Sequence, residues 1–178
     1  VVETARALEA SGVAAITSDC GYMMHFQELV ADSVSIPVML SSLLQLPFIG
    51  SLLGPNQSIG LLCANKERLT DDLLARAYPK PSAKVHVAGM ERKPNFRGPM
   101  LDETDTLDSD AIEREMLETV DGLLGDHPDI GAFLLECSNM PPYAAAIHRH
   151  TGRPVFDFVT MINHVATAVR PKTYSGRY

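Results

Sequence analysis

Basic charge is in short supply. Lys and Arg number 15 against 22 Asp and Glu, giving a net charge of −7 and a pI near 5.3. A nucleic-acid surface needs a basic face, so that class of partner is excluded. Cysteine is scarce as well: there are three, an odd count without close spacing. That supports neither a disulfide framework nor a zinc ribbon, and it favours a reducing compartment, most simply the cytoplasm. Long apolar runs are missing. The stretch 37–53 is broken by Ser41, Ser42, Gln45 and Pro47, and no secretory signal is visible, which argues against a membrane span. No phosphate loop or Ser-His-Asp set is present. His148 and His150 stand two apart on an expected helix, so they point in different directions and make a poor metal pair; no metal site is expected.

What is present is a core. Some 46% of the 178 residues are apolar, enough for one domain or two small ones. The elements alternate along the chain. Val2, Ala5 and Leu8 recur at helical spacing, and Gly12 suits the residue past a helix end. Because an α/β domain ordinarily supplies a strand before such a helix, a preceding segment is expected. Strands follow at 13–17, 36–40, 58–63, 84–88, 130–135 and 154–156. Helices follow at 22–32, 42–53, from Thr70 onward, 109–124, 141–151 and 159–169. Pro47 should bend its helix or mark its true first turn. Thr70 caps a helix whose first turn carries Asp71 and Asp72, favourable against the helix dipole. In 109–124, Ile112, Met116, Val120 and Leu123 face inward and the acidic residues form a solvated face. Between 89 and 105 lies a polar stretch rich in breakers, read as a loop: a lid, an oligomer contact or a plain solvated excursion. This rhythm means parallel sheet.

Two stretches carry chemistry. Residues 131–143, GAFLLECSNMPPY, read as a buried strand ending in Glu136-Cys137-Ser138-Asn139 before a Pro-Pro helix start. Residues 12–22, GVAAITSDCGY, repeat the plan around Cys20. Polar groups at the carboxyl ends of parallel strands sit where open α/β sheets place ligands. A thiol just before a helix is also where free N–H groups stabilise thiolate. Cys63 ends an apolar strand and reads as core filling. The repeated unit suggests a two-domain cleft with one cysteine on either wall. A carbon held between them requires sulfurs roughly 7 Å apart, since reacting atoms approach to about 3–3.5 Å. Polar donors at these turns are Ser18, Gly21, Ser138 and Asn139, with Ser41 and Ser42 at a third helix start and, more weakly, Asn65. Each serine has a competing role as a helix cap, the better reading for Ser41 and Ser42 singly. Asp157 reads as an N-cap, and His164 as surface or packing.

The segments AITSDCGYMMHFQEL (15–29), PVMLSSLLQLP (37–47), LLECSNMPPYAAAI (134–147) and PVFDFVTMINHV (154–165) resemble the aspartate/glutamate racemase superfamily, which includes hydantoin racemases and related decarboxylases and isomerases. The likeness runs over most of the chain. The second motif matches the family's Gly-Cys-Thr turn as Glu136-Cys137-Ser138. The first departs from the amino-acid racemases, which follow their cysteine with an Asn-Thr pair that helps hold the substrate; here Gly21-Tyr22 follows Cys20, which speaks against glutamate or aspartate as substrate. The resemblance implies two similar α/β domains with parallel sheets flanked by helices, an active site between them, and no cofactor. It implies Cys20 and Cys137 as opposed acid and base, with the polar donors of the turns holding a carboxylate or ring carbonyl of the substrate.

The expectation is therefore an isomerase, a cofactor-independent racemase or epimerase acting on a small carboxylate or hydantoin. Its first domain is expected over 1–54 plus 158–178 and its second over 55–157, with a homo-oligomer possible. Two alternatives stand beside it. One is a decarboxylase or cis–trans isomerase of a small dicarboxylate on the same fold; the other is a catalytically silent binding protein.

Overall fold

The computed structural model describes residues 1–104 and 107–176. In chain order its elements are α1 (Val2–Ala10), β1 (Ile16–Thr17), α2 (Gln27–Ala31), β2 (Val38–Met39), α3 (Leu46–Leu52), β3 (Ser58–Cys63), α4 (Asp71–Ala77), β4 (Val85–Gly89), α5 (Pro94–Leu101), α6 (Ser109–Asp126), β5 (Ile130–Leu135), α7 (Ala144–Thr151), β6 (Val155–Phe156) and α8 (Phe158–Val169). Short 3₁₀ turns precede α2, α3 and α7, at Gly21–Phe26, Ser42–Gln45 and Pro141–Tyr143. Pro47 accordingly lies in the first turn of α3, where its missing N–H costs nothing.

Two parallel sheets result. β1 and β2 form a small one, paired Ile16 to Val38 and Thr17 to Met39. The larger has the order β4-β3-β5-β6, all parallel. Its central strands are apolar runs because helices cover both faces. Ile59, Leu61, Cys63, Ala132 and Leu134 pack one way, against Leu43, Leu46, Ile49 and Leu73. Leu62, Phe133 and Leu135 pack the other way, against Ile112, Met116, Val120 and Ile147. The small sheet has its own cluster of Ala5, Ile16, Val30 and Leu40. Met24, in the turn after Cys20, belongs instead to the large sheet's core. The first cysteine turn thus leaves one sheet and docks on the other.

The loop expected at 89–105 is corrected: it holds α5, and only its last residue, Asp105, lies outside the described residues. The cap for α5 comes from far along the chain. Glu115 of α6, buried, accepts hydrogen bonds from the Asn95 and Phe96 backbone N–H groups at 2.9 and 2.8 Å, and from the Asn95 side chain at 2.7 Å. A carboxylate at the free N–H groups of a helix start stabilises it. Pro94 occupies the first turn and Phe96 is fully buried. Glu115 is correspondingly an exception to the solvated acidic face expected of α6. Thr70 and Asp157 both cap as expected, Asp157 in a reciprocal box with Thr160.

Candidate active site

The carboxyl ends of β1, β2, β3 and β5 converge, and the cysteine turns meet there. Cys20 and Cys137 pair backbone to backbone as an isolated antiparallel bridge. The Cβ atoms of residues directly opposed in such a pair stand about 4.5–5.5 Å apart on one side. The two cysteine turns, one following β1 of the small sheet and one following β5 of the large sheet, therefore meet where the sheets adjoin. All three cysteines are free. Cys20 is exposed and Cys137 half-buried, whereas Cys63 is fully buried, its thiol donating to the Ala88 carbonyl.

The two thiols differ electrically. Partial burial pushes Cys20 up from the ordinary thiol value, but the Tyr22 and Met23 backbone N–H groups of the following turn pull against it. Burial pushes Cys137 further, up to about 11, with the Asn139 N–H opposing. Cys20 is the thiol better supplied with donors for a thiolate, and Cys137 the one held as a neutral S–H.

Beneath them lies Glu136, which sequence reasoning passed over as part of a turn. Its side chain is buried, accepts from the Ala64 N–H at 3.2 Å and from the Gly21 N–H, and burial pushes its carboxyl up to about 7. Gly21 is required here for space: a Cβ at that position would lie inside van der Waals contact with the Glu136 Cγ, Cδ and Oε1 atoms. The signal available in the sequence was an acid closing an otherwise apolar strand, where a residue of the inner face is expected.

Other hydrogen bonds lock the turns together. The Tyr22 hydroxyl donates to the Asn65 carbonyl at 2.9 Å and accepts from the Asn65 N–H at 3.1 Å. Ser41 donates to the Gly21 carbonyl at 2.7 Å and caps Leu43; Ser42 donates to the Glu136 carbonyl at 3.2 Å. Both serines are buried, so their hydroxyls serve the frame behind the turns. Ser18, half-buried, donates to the Leu40 carbonyl, and the Asn65 side chain caps Glu67. Ser138 and Asn139 follow Cys137 at the surface, Asn139 exposed. The structure thus gathers Ser18, Gly21, Ser41, Ser42, Asn65, Ser138 and Asn139 around one pair of turns, with Gly21, Ser138 and Asn139 nearest the thiols along the chain.

A cavity of about 950 Å³ lies elsewhere, at the opposite strand ends among Ser58, Tyr78, Lys84, His86 and Asp129. Beside it His86, His127 and Asp129 bring metal-donor atom types within 4.8 Å of one another. The two imidazoles stack at 3.5 Å with planes 17° apart, so their in-plane lone pairs run side by side instead of converging on one point. His150 pairs with Asp121 at 2.6 Å, His148 bonds the Arg153 carbonyl, and His164 packs on Phe48.

The fold is shared with solved racemases and a decarboxylase. Allantoin racemase from Pseudomonas fluorescens superposes with a TM-score of 0.62 at 18% identity, covering 98% of this chain and 78% of that one. An aspartate racemase homologue from Pyrococcus horikoshii gives 0.67 at 15%, covering 94% and 72%, and an unliganded arylmalonate decarboxylase gives 0.59 at 14%, covering 98% and 77%. No protein-family model matches the chain. The sequence relatives are more specific. Dimethylsulfoniopropionate lyase 7 of Emiliania huxleyi is 31% identical over 176 residues, 94% of this chain and 51% of the relative. A dimethylsulfoniopropionate lyase of Durusdinium sp. clade D is 31% identical over 152 residues, 83% of this chain and 50% of the relative. The chain spans about half the length of these curated relatives.

These relatives overturn the isomerase expectation. They are lyases at about twice the identity of the racemases, so the racemase or epimerase reading gives way, and with it the hydantoin substrate. Of the readings set beside it, decarboxylation, itself a lyase reaction, stands nearer to what the relatives do. Among the described residues no helix is long and apolar enough to cross a membrane.

Proposed function

We propose that the site performs a cysteine-assisted β-elimination on a small carboxylate carrying a sulfonium group, of which dimethylsulfoniopropionate is the model. The observation that supports it is the adjoining pair of unequal thiols on the lyases' sequence framework. Cys20, as thiolate, takes the proton from the carbon next to the carboxylate. The electron pair of that C–H bond becomes the new C=C bond, and the C–S bond breaks with its electrons leaving on sulfur. Neutral dimethyl sulfide and acrylate result. Negative charge building on the substrate carboxylate calls for preorganised donors, a role assigned to the Cys137 thiol and the Ser138 and Asn139 turn. The sulfonium is a cation, and the exposed Asp19 carboxylate beside Cys20 supplies the complementary charge. Elimination needs a single base, here Cys20, and leaves Cys137 as a neutral donor, which suits a pair of unequal thiols. The thiols require a reducing compartment to stay active.

Incubation with dimethylsulfoniopropionate tests this. Dimethyl sulfide and acrylate are expected in equal amounts. Release of neither, under conditions where the folded protein reacts normally with thiol reagents, would contradict it.

A further inference from the structure

The residue at the centre of the cysteine turns has no assigned role. Glu136 follows β5 where the two turns meet, its carboxyl group packed against Gly21. It faces Cys20 and Tyr22 from the first turn, Cys63 from β3, and Cys137 as its own neighbour; its negative charge acts on all four, with Asp19 adding to it at Cys20 and Cys137. The Gly21 and Ala64 N–H groups hold it, and Ser42 holds its backbone carbonyl. Gly21 lacks the atom that would displace it. Two turns from distant parts of the sequence are thus fitted around one buried acid.

We propose that Glu136 is a positioning residue: its carboxyl group pins the two cysteine turns together and, by gaining or losing one proton, controls the charge state of the two thiols. The direction follows from Coulomb's law. When Glu136 is protonated the turns hold no buried negative charge, and a thiolate forms at Cys20 more easily. When it ionises, the neighbouring carboxylate opposes a second anion, and both thiols stay neutral to higher pH. With its carboxyl pushed up to about 7, that change falls across neutral pH. The consequence for turnover rests on the proposed elimination, but the effect on the thiols does not.

The test is the rate of iodoacetamide alkylation at Cys20 and at Cys137, followed separately by peptide mass spectrometry across pH 5.5 to 10 on the full chain. A lone thiol gives a rate rising tenfold per pH unit up to its own ionisation. The wild type is expected to show a shallower segment near pH 7, as Glu136 ionises and holds the thiols back. Glu136→Gln is expected to abolish that segment and to raise alkylation of Cys20 at pH 8 by about tenfold, the size of one neighbouring charge in this setting. A mere change of access multiplies the rate equally at every pH and leaves the shape untouched. Glu136→Asp keeps the charge while shortening the pin, and should keep the segment. A wild-type profile without it would overturn the proposal, even if Glu136→Gln fails to fold; so would a profile unchanged in a folded Glu136→Gln protein. Loss of the segment in Glu136→Gln without any dimethyl sulfide release from the wild type would support Glu136 as the thiol control and reject elimination as the reaction.

Discussion

Replacing Cys20 by serine should lower kcat for dimethyl sulfide release by about 10²–10⁴, the range for removing a positioned general base. A serine hydroxyl at the same place is far too weak an acid to become the base, although it nearly matches the thiol in shape. kcat and kcat/KM should fall together, because the interaction lost is made in the transition state. Cys137 is expected to behave differently. If it donates to the substrate carboxylate, Cys137→Ala removes a donor, costing about 10²–10³. Cys137→Ser keeps one and should cost much less than the alanine. Cys63→Ala should leave kcat unchanged, since that thiol is buried in the core and bonded to the Ala88 carbonyl. Steady-state rates for the four variants check the set, with melting curves to confirm folding. Equal losses in Cys137→Ser and Cys137→Ala would remove Cys137 from the role of donor.

The second large effect belongs to Gly21. Its alanine variant places a methyl group where the Glu136 carboxyl already lies. Overpacking of a filled core costs about 1–3 kcal/mol, and moving Glu136 aside also breaks its bonds to the Gly21 and Ala64 N–H groups, about 1 kcal/mol or more each. A loss of unfolding free energy of that size, read from urea melts, is expected, together with loss of most of the elimination activity, because the bridge between Cys20 and Cys137 starts one residue away. In a Glu136→Ala background the space is empty, so the added cost of Gly21→Ala should shrink. Such non-additivity is the mark of two groups competing for one volume. Full additivity would mean that Gly21 is not needed for the acid.

Much of the frame could be read from residues alone. β3 and β5 are continuous apolar runs, as central parallel strands must be, and the apolar spacing of Ile112, Met116, Val120 and Leu123 marks α6. β1 and β2, two residues each, lie within the longer apolar stretches 13–17 and 36–40. α5 was hidden because its cap, Glu115, comes from the next helix, a tertiary bond that outweighs Gly98 and Pro99 in the local sequence. Cys20 and Cys137 stood out by their repeated context. That they adjoin could not be read, because it depends on pairs far apart in the chain: Tyr22 with Asn65, Ser41 with Gly21, Ser42 with Glu136. The reaction was the least legible part. A cysteine that removes a proton beside a carboxylate begins inversion and elimination alike, and the outcome depends on whether the next carbon bears a leaving group.

The fate of the hydrogens tests the central claim most directly. Dimethylsulfoniopropionate carrying deuterium at both positions next to the carboxylate can be turned over and the acrylate weighed by mass spectrometry. Removal of one α-proton by a cysteine predicts acrylate that has lost one of the two deuterons and kept the other, with dimethyl sulfide released in step. Three-carbon product that keeps both deuterons, as displacement of the sulfonium by water would give, would contradict the account.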